Sequence, residues 1–156
     1  MATDATSGAP PLDAFNLERF VEAQRGTYEA ACRELAIGRK TTHWMWFVFP
    51  QLRGLGVSGQ SDFYGIGGLA EAQAYLVHPV LGPRLRRVAA LLLAIENRSI
   101  DDILDGPDDL KLCSSMTLFA RAAAEMAQDN TVFLAVLERF FDGDHDVATL
   151  QMLELD

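Results

Sequence analysis

Cysteine and histidine are scarce in this 156-residue chain, which has only Cys32 and Cys113, and His43, His78 and His145. The two cysteines are far apart in apolar surroundings and form no CxxC, which predicts reduced, buried thiols rather than a disulfide framework. The histidines are equally dispersed, so no metal-ligand spacing is present and neither a metal nor a cofactor is expected. Long apolar runs are also lacking. VAALLLAI, at residues 88–95, covers less than half of the ~20 residues that a membrane-spanning helix needs. The opening MATDATSGAPP has no basic start and no apolar centre, so it does not read as a secretory signal. Its Ala, Ser, Gly and Pro predict a disordered tail over residues 1–12. A cytoplasmic location is the expectation.

Positive charge is missing from the last third. Residues 101–156 hold three Lys/Arg against thirteen Asp/Glu, which accounts for the whole net charge of −9. Residues 1–60 balance at six of each sign, and residues 61–100 carry four against three. Such a surface repels phosphate backbones, which disfavours general nucleic-acid binding. Arg39, Lys40 and Arg53 still leave room for a local anion site.

What the chain does have is helical periodicity. Residues 13–156 are enough for one domain that buries about 68–70% of its unfolded surface. Apolar positions at Phe20, Val21, Tyr28, Ala31, Cys32 and Leu35 predict a first helix over residues 17–37 stopped by Gly38. Gly26 within it costs roughly 1 kcal/mol against alanine. A short apolar helix, HWMWFVF, follows a Thr41 or Thr42 cap and must end at Pro50, though a buried strand is also consistent with so short a run. Residues 54–68 contain six glycines and read as a long loop, of the kind that is often functional. Helical patterns then resume at LAEAQAYLV, RLRRVAALLLAIE, SIDDIL, residues 110–128 (one helix or two, divided at Ser114-Ser115), TVFLAVLERFF and VATLQMLEL. The prediction is an all-α fold of seven to nine unequal helices with one long Gly-rich loop.

Polar and aromatic groups concentrate in residues 38–64, GRKTTHWMWFVFPQLRGLGVSGQSDFY. On a helix Trp44 and Trp46 point about 200° apart, so one enters the core while the other flanks a site. An indole beside Lys40 suits a ring-bearing ligand; the plainer alternative is that both indoles are core aromatics. His43 is the one side chain here that titrates near neutrality, and it is either a general acid or base or a helix-end donor. Asp62 and Glu71 are carboxylates that could share proton transfer, Asp62 alternatively forming an ion pair with Arg53 or Lys40. Ser61 and Tyr64 complete this group. GLGVSG has the letters of a dinucleotide loop but neither the βαβ setting nor a P-loop lysine; a backbone anion nest or a flexible lid remains.

A second unusual stretch is DDLKLCSSMTLF, residues 108–119. On a helix Lys111, Ser114 and Ser115 share a face, similar to a serine–lysine nucleophile pair but in the order KxxSS instead of SxxK. The alternative is a helix break capped by Ser114, with Lys111 paired to an aspartate.

These motifs resemble those of a bacterial family, the domain of unknown function 1810. The resemblance covers residues 17–153. It rests on Ala23, Gln24 and Tyr28, on GRKTTHWMWFVFPQLRGLG, on Ser61 and Tyr64, on EAxAYLxHPxLGxRL from Glu71 to Leu85, and on DDLKLxSSMTLF. Thr41-Thr42 departs from the serine that commonly precedes the histidine. The resemblance implies an all-α fold and no assigned activity. The calpastatin label sometimes given to the family belongs to a disordered, repetitive protease inhibitor, and this sequence has neither property.

The functional expectation is a pocket for a small anionic, ring-bearing and nucleotide-like ligand. Lys40, Arg53 and Lys111 would hold its charge, with Trp44, Trp46, Ser61, Tyr64, Ser114 and Ser115 around it. Metal-free hydrolysis or glycosidic cleavage would use His43, Asp62 or Glu71. The alternative is a protein-interaction module that docks a partner on the aromatics of HWMWFVFPQL.

Overall fold

The computed structural model describes residues 13–56 and 58–154, so the expected tail over residues 1–12 lies outside the described residues. The fold is all-α. Ten helices are described, one more than the upper expectation: α1 (Glu18–Ala23), α2 (Thr27–Ile37), α3 (Met45–Val48), α4 (Gly59–Phe63), α5 (Leu69–Val77), α6 (Leu81–Ala94), α7 (Ile100–Leu104), α8 (Asp108–Glu125), α9 (Thr131–Phe141) and α10 (Val147–Glu154).

Two differences account for the count. The expected helix over residues 17–37 is broken in two, because Gly26 takes a left-handed φ of 71° and starts α2 afresh. A glycine reaches that conformation without a Cβ clash, so the position favours a turn over helix continuation. The Gly-rich loop also contains α4, capped by Ser58, whose hydroxyl accepts from the Ser61 amide at 3.0 Å. The loop is closed at its base by a parallel bridge between Leu52 and Ile66. The Ile66 amide donates to the Gln51 carbonyl at 2.9 Å and the Arg53 amide donates to the Ile66 carbonyl at 2.8 Å. His78 is half-buried, and its Nδ1 accepts from the Val80 and Leu81 amides at the start of α6.

The alternative of one helix after Pro107 is what forms. α8 runs unbroken for 18 residues, ten of them buried, and packs against α9, α5, α10 and α7. Ser114, Ser115, Ala120, Ala122 and Ala123 are small enough for neighbouring helices to approach closely. Ser114 does not cap a new helix; its hydroxyl donates back to the Leu110 carbonyl. A chain of aromatic rings, Phe20–Tyr75–Phe119–Phe133, crosses the core from α1 to α9 with centroids 5.2, 5.2 and 6.2 Å apart.

Arg19 fastens α1 to the Gly-rich loop and α5. All its donor bonds end on protein acceptors: the carbonyls of Phe15, Asn16, Phe63 and Gly65, and the Glu71 carboxylate at 2.6 Å. Both side chains of this ion pair are about 5% exposed. The second Glu71 oxygen accepts from the Gly67 amide. Glu71, a candidate for proton transfer on sequence grounds, is therefore occupied by structural partners. Removing it leaves a guanidinium buried without its countercharge, which typically costs about 3–5 kcal/mol. Glu71→Ala should lose that much in urea unfolding; a loss below about 1 kcal/mol would show that the pair does not fasten the fold.

Candidate functional site

The segment joining α2 to α3 is shaped by a carboxylate from the preceding helix. Glu34, on the last turns of α2, accepts from the Thr41 and Thr42 amides, the Thr42 hydroxyl and the Trp44 indole N–H. Neither threonine caps α3 with its side chain. Beyond Gly38, the Lys40 amide donates to the Ile103 carbonyl at 2.8 Å and ties the segment to α7. With its N–H satisfied by Glu34, Trp44 is completely buried, while Trp46 on the next helix is half-buried and turned elsewhere.

Trp46 borders a cleft of about 500 Å³ between the base of the Gly-rich loop, the start of α8 and the start of α10. The residues that give it chemical character are Trp46, Gln51, Lys111, Ser114 and Asp146; Leu55, Pro107, Leu110 and Ala148 make it largely apolar. Lys111 stands over the Trp46 ring, its ammonium 4.0 Å from the centroid. It also bonds Asp108 at 3.2 Å, which leaves two of its three donors without a partner among the described residues. Asp108 is shared, because Lys40 approaches it at 2.9 Å. Two ammoniums on one carboxylate leave this triad with one excess positive charge beside the cleft. Asp146 supplies a negative counterpoint: one oxygen accepts from the Thr149 amide and hydroxyl, and the other has no partner among the described residues.

Three expected residues thus meet in one place (Trp46, Lys111 and Ser114), and Lys40 stands behind them through Asp108. The others lie elsewhere. Trp44 is in the core. Ser115, although i+4 from Lys111, is fully enclosed, because α8 is covered on both sides. Ser61 is buried behind the cleft wall: a Cβ on Gly56 would sit 2.2 Å from its hydroxyl oxygen, so only glycine fits there. Neither serine hydroxyl has a hydrogen-bond partner among the described residues. Tyr64 packs among Phe20, Phe47 and Phe63. Arg53 and Asp62 flank a separate depression with Phe63, and Arg53 bonds the Asp62 carbonyl rather than its carboxylate. His43 is exposed and makes no hydrogen bond or ion pair among the described residues.

Gln51 and Asp146 are cleft residues that the sequence reading did not single out. Asp146 lies in an acidic turn of ordinary solvated composition, and Gln51 is one letter within a long apolar motif. The proline before Gln51, which fixes the chain direction at the loop base, was the one available hint. Cys113 contributes no nucleophile near neutrality, since burial and then the Asp146 and Asp144 carboxylates raise its thiol to about 11. Among the described residues no three His, Cys, Asp or Glu side chains converge as a metal site requires.

Glu34 gives this region a pH signature. Burial pushes its carboxyl upward, but the Thr42 hydroxyl, the Thr41 and Thr42 amides and the Trp44 indole outweigh that and hold it at about 2, against 4.5 normally. The unfolded chain therefore binds this proton more readily than the folded one. The resulting stabilisation is complete above about pH 5 and disappears as pH falls through 4.5 towards 2. In urea unfolding Glu34→Gln should lose less stability than the parent between about pH 5 and 2.5; parallel curves would contradict this.

The geometry can be set beside known proteins. The crystal structure of the conserved hypothetical protein Rv1873 from Mycobacterium tuberculosis is similar, with a TM-score of 0.87 and 50% identity over 94% of this chain and 100% of that one. No curated protein matches. The model of the family described as "Protein of unknown function (DUF1810)" matches residues 14–153. The chain belongs to that family.

Proposed function

We propose that the cleft binds a small planar ligand carrying an anionic group, nucleotide-like in chemistry. The observation that supports this most is Lys111: a cation over an indole, with two unused donors, at the edge of a cleft of ligand size. Hydrogen bonds between charged groups contribute about 1.5–3 kcal/mol, and contact with the Trp46 ring adds about 0.5–1.5 kcal/mol beyond burial. The free oxygen of Asp146 suits a ligand hydroxyl or amino group rather than a second anion, so the cleft fits a molecule with one charged end and one donor-bearing end. None of His43, Asp62 and Glu71 borders it. Any hydrolytic step there would draw its proton transfer from Asp146; binding is the activity proposed.

A different reading is supported by exposed apolar side chains here: Leu110, which lines the cleft, is 66% exposed, and Val147, between the lining residues Asp146 and Ala148, is 64% exposed. A protein partner would cover them with an apolar side chain seated in the cleft. On HWMWFVFPQL, Trp44, Met45, Val48 and Phe49 are buried, so a partner there would meet chiefly His43, Trp46 and Phe47.

The readings separate in a thermal-shift and calorimetric panel of nucleoside monophosphates and aryl phosphates. A ligand at about 100 times its dissociation constant adds close to 2.7 kcal/mol of stability. Lys111→Met should weaken the ligand by about tenfold or more, while Arg53→Ala leaves it unchanged. Equal affinity in Lys111→Met would overturn the cleft assignment, and absence of any small-molecule binder would favour the partner reading.

A further inference from the structure

We infer that Gln51 is the residue that selects the ligand, reading a planar edge on which a hydrogen-bond donor stands next to an acceptor, as on adenine, cytosine or uracil. This rests on the cleft being a ligand site and adds the chemistry of the ring. Gln51 is only 8% exposed and borders the cleft. Its side-chain amide makes no hydrogen bond among the described residues, and yet neither amide atom is among the sealed, unpartnered ones, which are Ser61 Oγ and Ser115 Oγ. The amide is thus withdrawn from bulk water and unsatisfied by protein, with access by way of the cleft.

A buried amide in that condition is costly unless something completes it. The surroundings keep it in place. Pro50 precedes it, its carbonyl is bound by the Ile66 amide, and the Leu52–Ile66 bridge follows immediately. The Gly56 backbone lies alongside, and even an added Cβ there would come within 3.8 Å of Gln51 Nε2. One carbonyl and one NH2 side by side complement a ring edge that offers the reverse pair, the geometry by which glutamine reads adenine. With Trp46 to flank the ring and Lys111 to meet a phosphate, the three side chains match the three parts of a nucleotide: edge, ring face and anion.

The probes are adenosine 5′-monophosphate, purine riboside 5′-monophosphate (which lacks the 6-amino donor) and phenyl phosphate, titrated into the full chain. The parent should prefer the adenine compound over the purine one by about tenfold. Gln51→Leu should erase that preference by weakening the adenine compound more than the purine one, and Gln51→Met should do the same if the leucine variant folds poorly. Because the substitution removes an unsatisfied buried amide, the free protein should melt at the same or a higher temperature; a purely structural glutamine would lower it. Retained preference in both variants, or equal binding of the two nucleotides to the parent, overturns the assignment. If phenyl phosphate binds and neither nucleotide does, Gln51 is not an edge reader and the cleft reading stands. If none of the three binds, both fail.

Discussion

A single carboxylate, Asp108, holds two lysines that come from different parts of the chain. Lys40 leaves the end of α2, and Lys111 stands one turn along α8. The side chains of all three are mostly buried, with 9, 18 and 16% exposure for Lys40, Asp108 and Lys111. Buried ion pairs are weak sources of stability, because desolvation offsets most of the attraction. Their effect here is positional. With Lys40 engaging Asp108, the carboxylate cannot fully neutralise Lys111, whose ammonium is left over Trp46 with donors to spare. Glu34 works on the other end of the same segment, taking the Trp44 N–H and so directing that indole inward.

The opposite wall depends on a different device. The loop after Pro50 returns to its start through the Leu52–Ile66 bridge, and Gly56 can lie against Ser61 only because it lacks a side chain. Among the described residues, three polar side chains of the interior lack a hydrogen-bond partner: Ser61 and Gln51 at this wall, and Ser115 within α8. Two are sealed within the protein. Only the third opens onto a cleft, which is why it carries a functional reading and the serines do not.

Helix positions were largely legible in the sequence, because apolar residues recur at helical spacing in α2, α6 and α9 and capping residues mark several ends. The break at Gly26 was not legible, since a glycine tolerated within a helix and one turning left-handed look alike in a sequence. The candidate site was legible only in part. Trp46, Lys111 and Ser114 stood out as unusual residues within their motifs. Glu71 looked like a free carboxylate because nothing local reveals Arg19, 52 positions earlier, as its partner. Ser115 was placed with Lys111 by helical spacing, and spacing does not report that α8 is covered on more than one side. Gln51 and Asp146 enter the cleft through chain reversals that no short motif encodes.

The two tryptophans provide the most direct measurement, because the chain contains only these two and their indole N–H groups differ in environment. In a nitrogen–proton correlation spectrum recorded during titration with a nucleoside monophosphate, the Trp46 indole signal should move with saturation. The Trp44 signal, bonded to Glu34, should stay where it is. A Trp46 signal that holds still against every nucleotide and aryl phosphate at millimolar concentration would contradict a ligand site in this cleft.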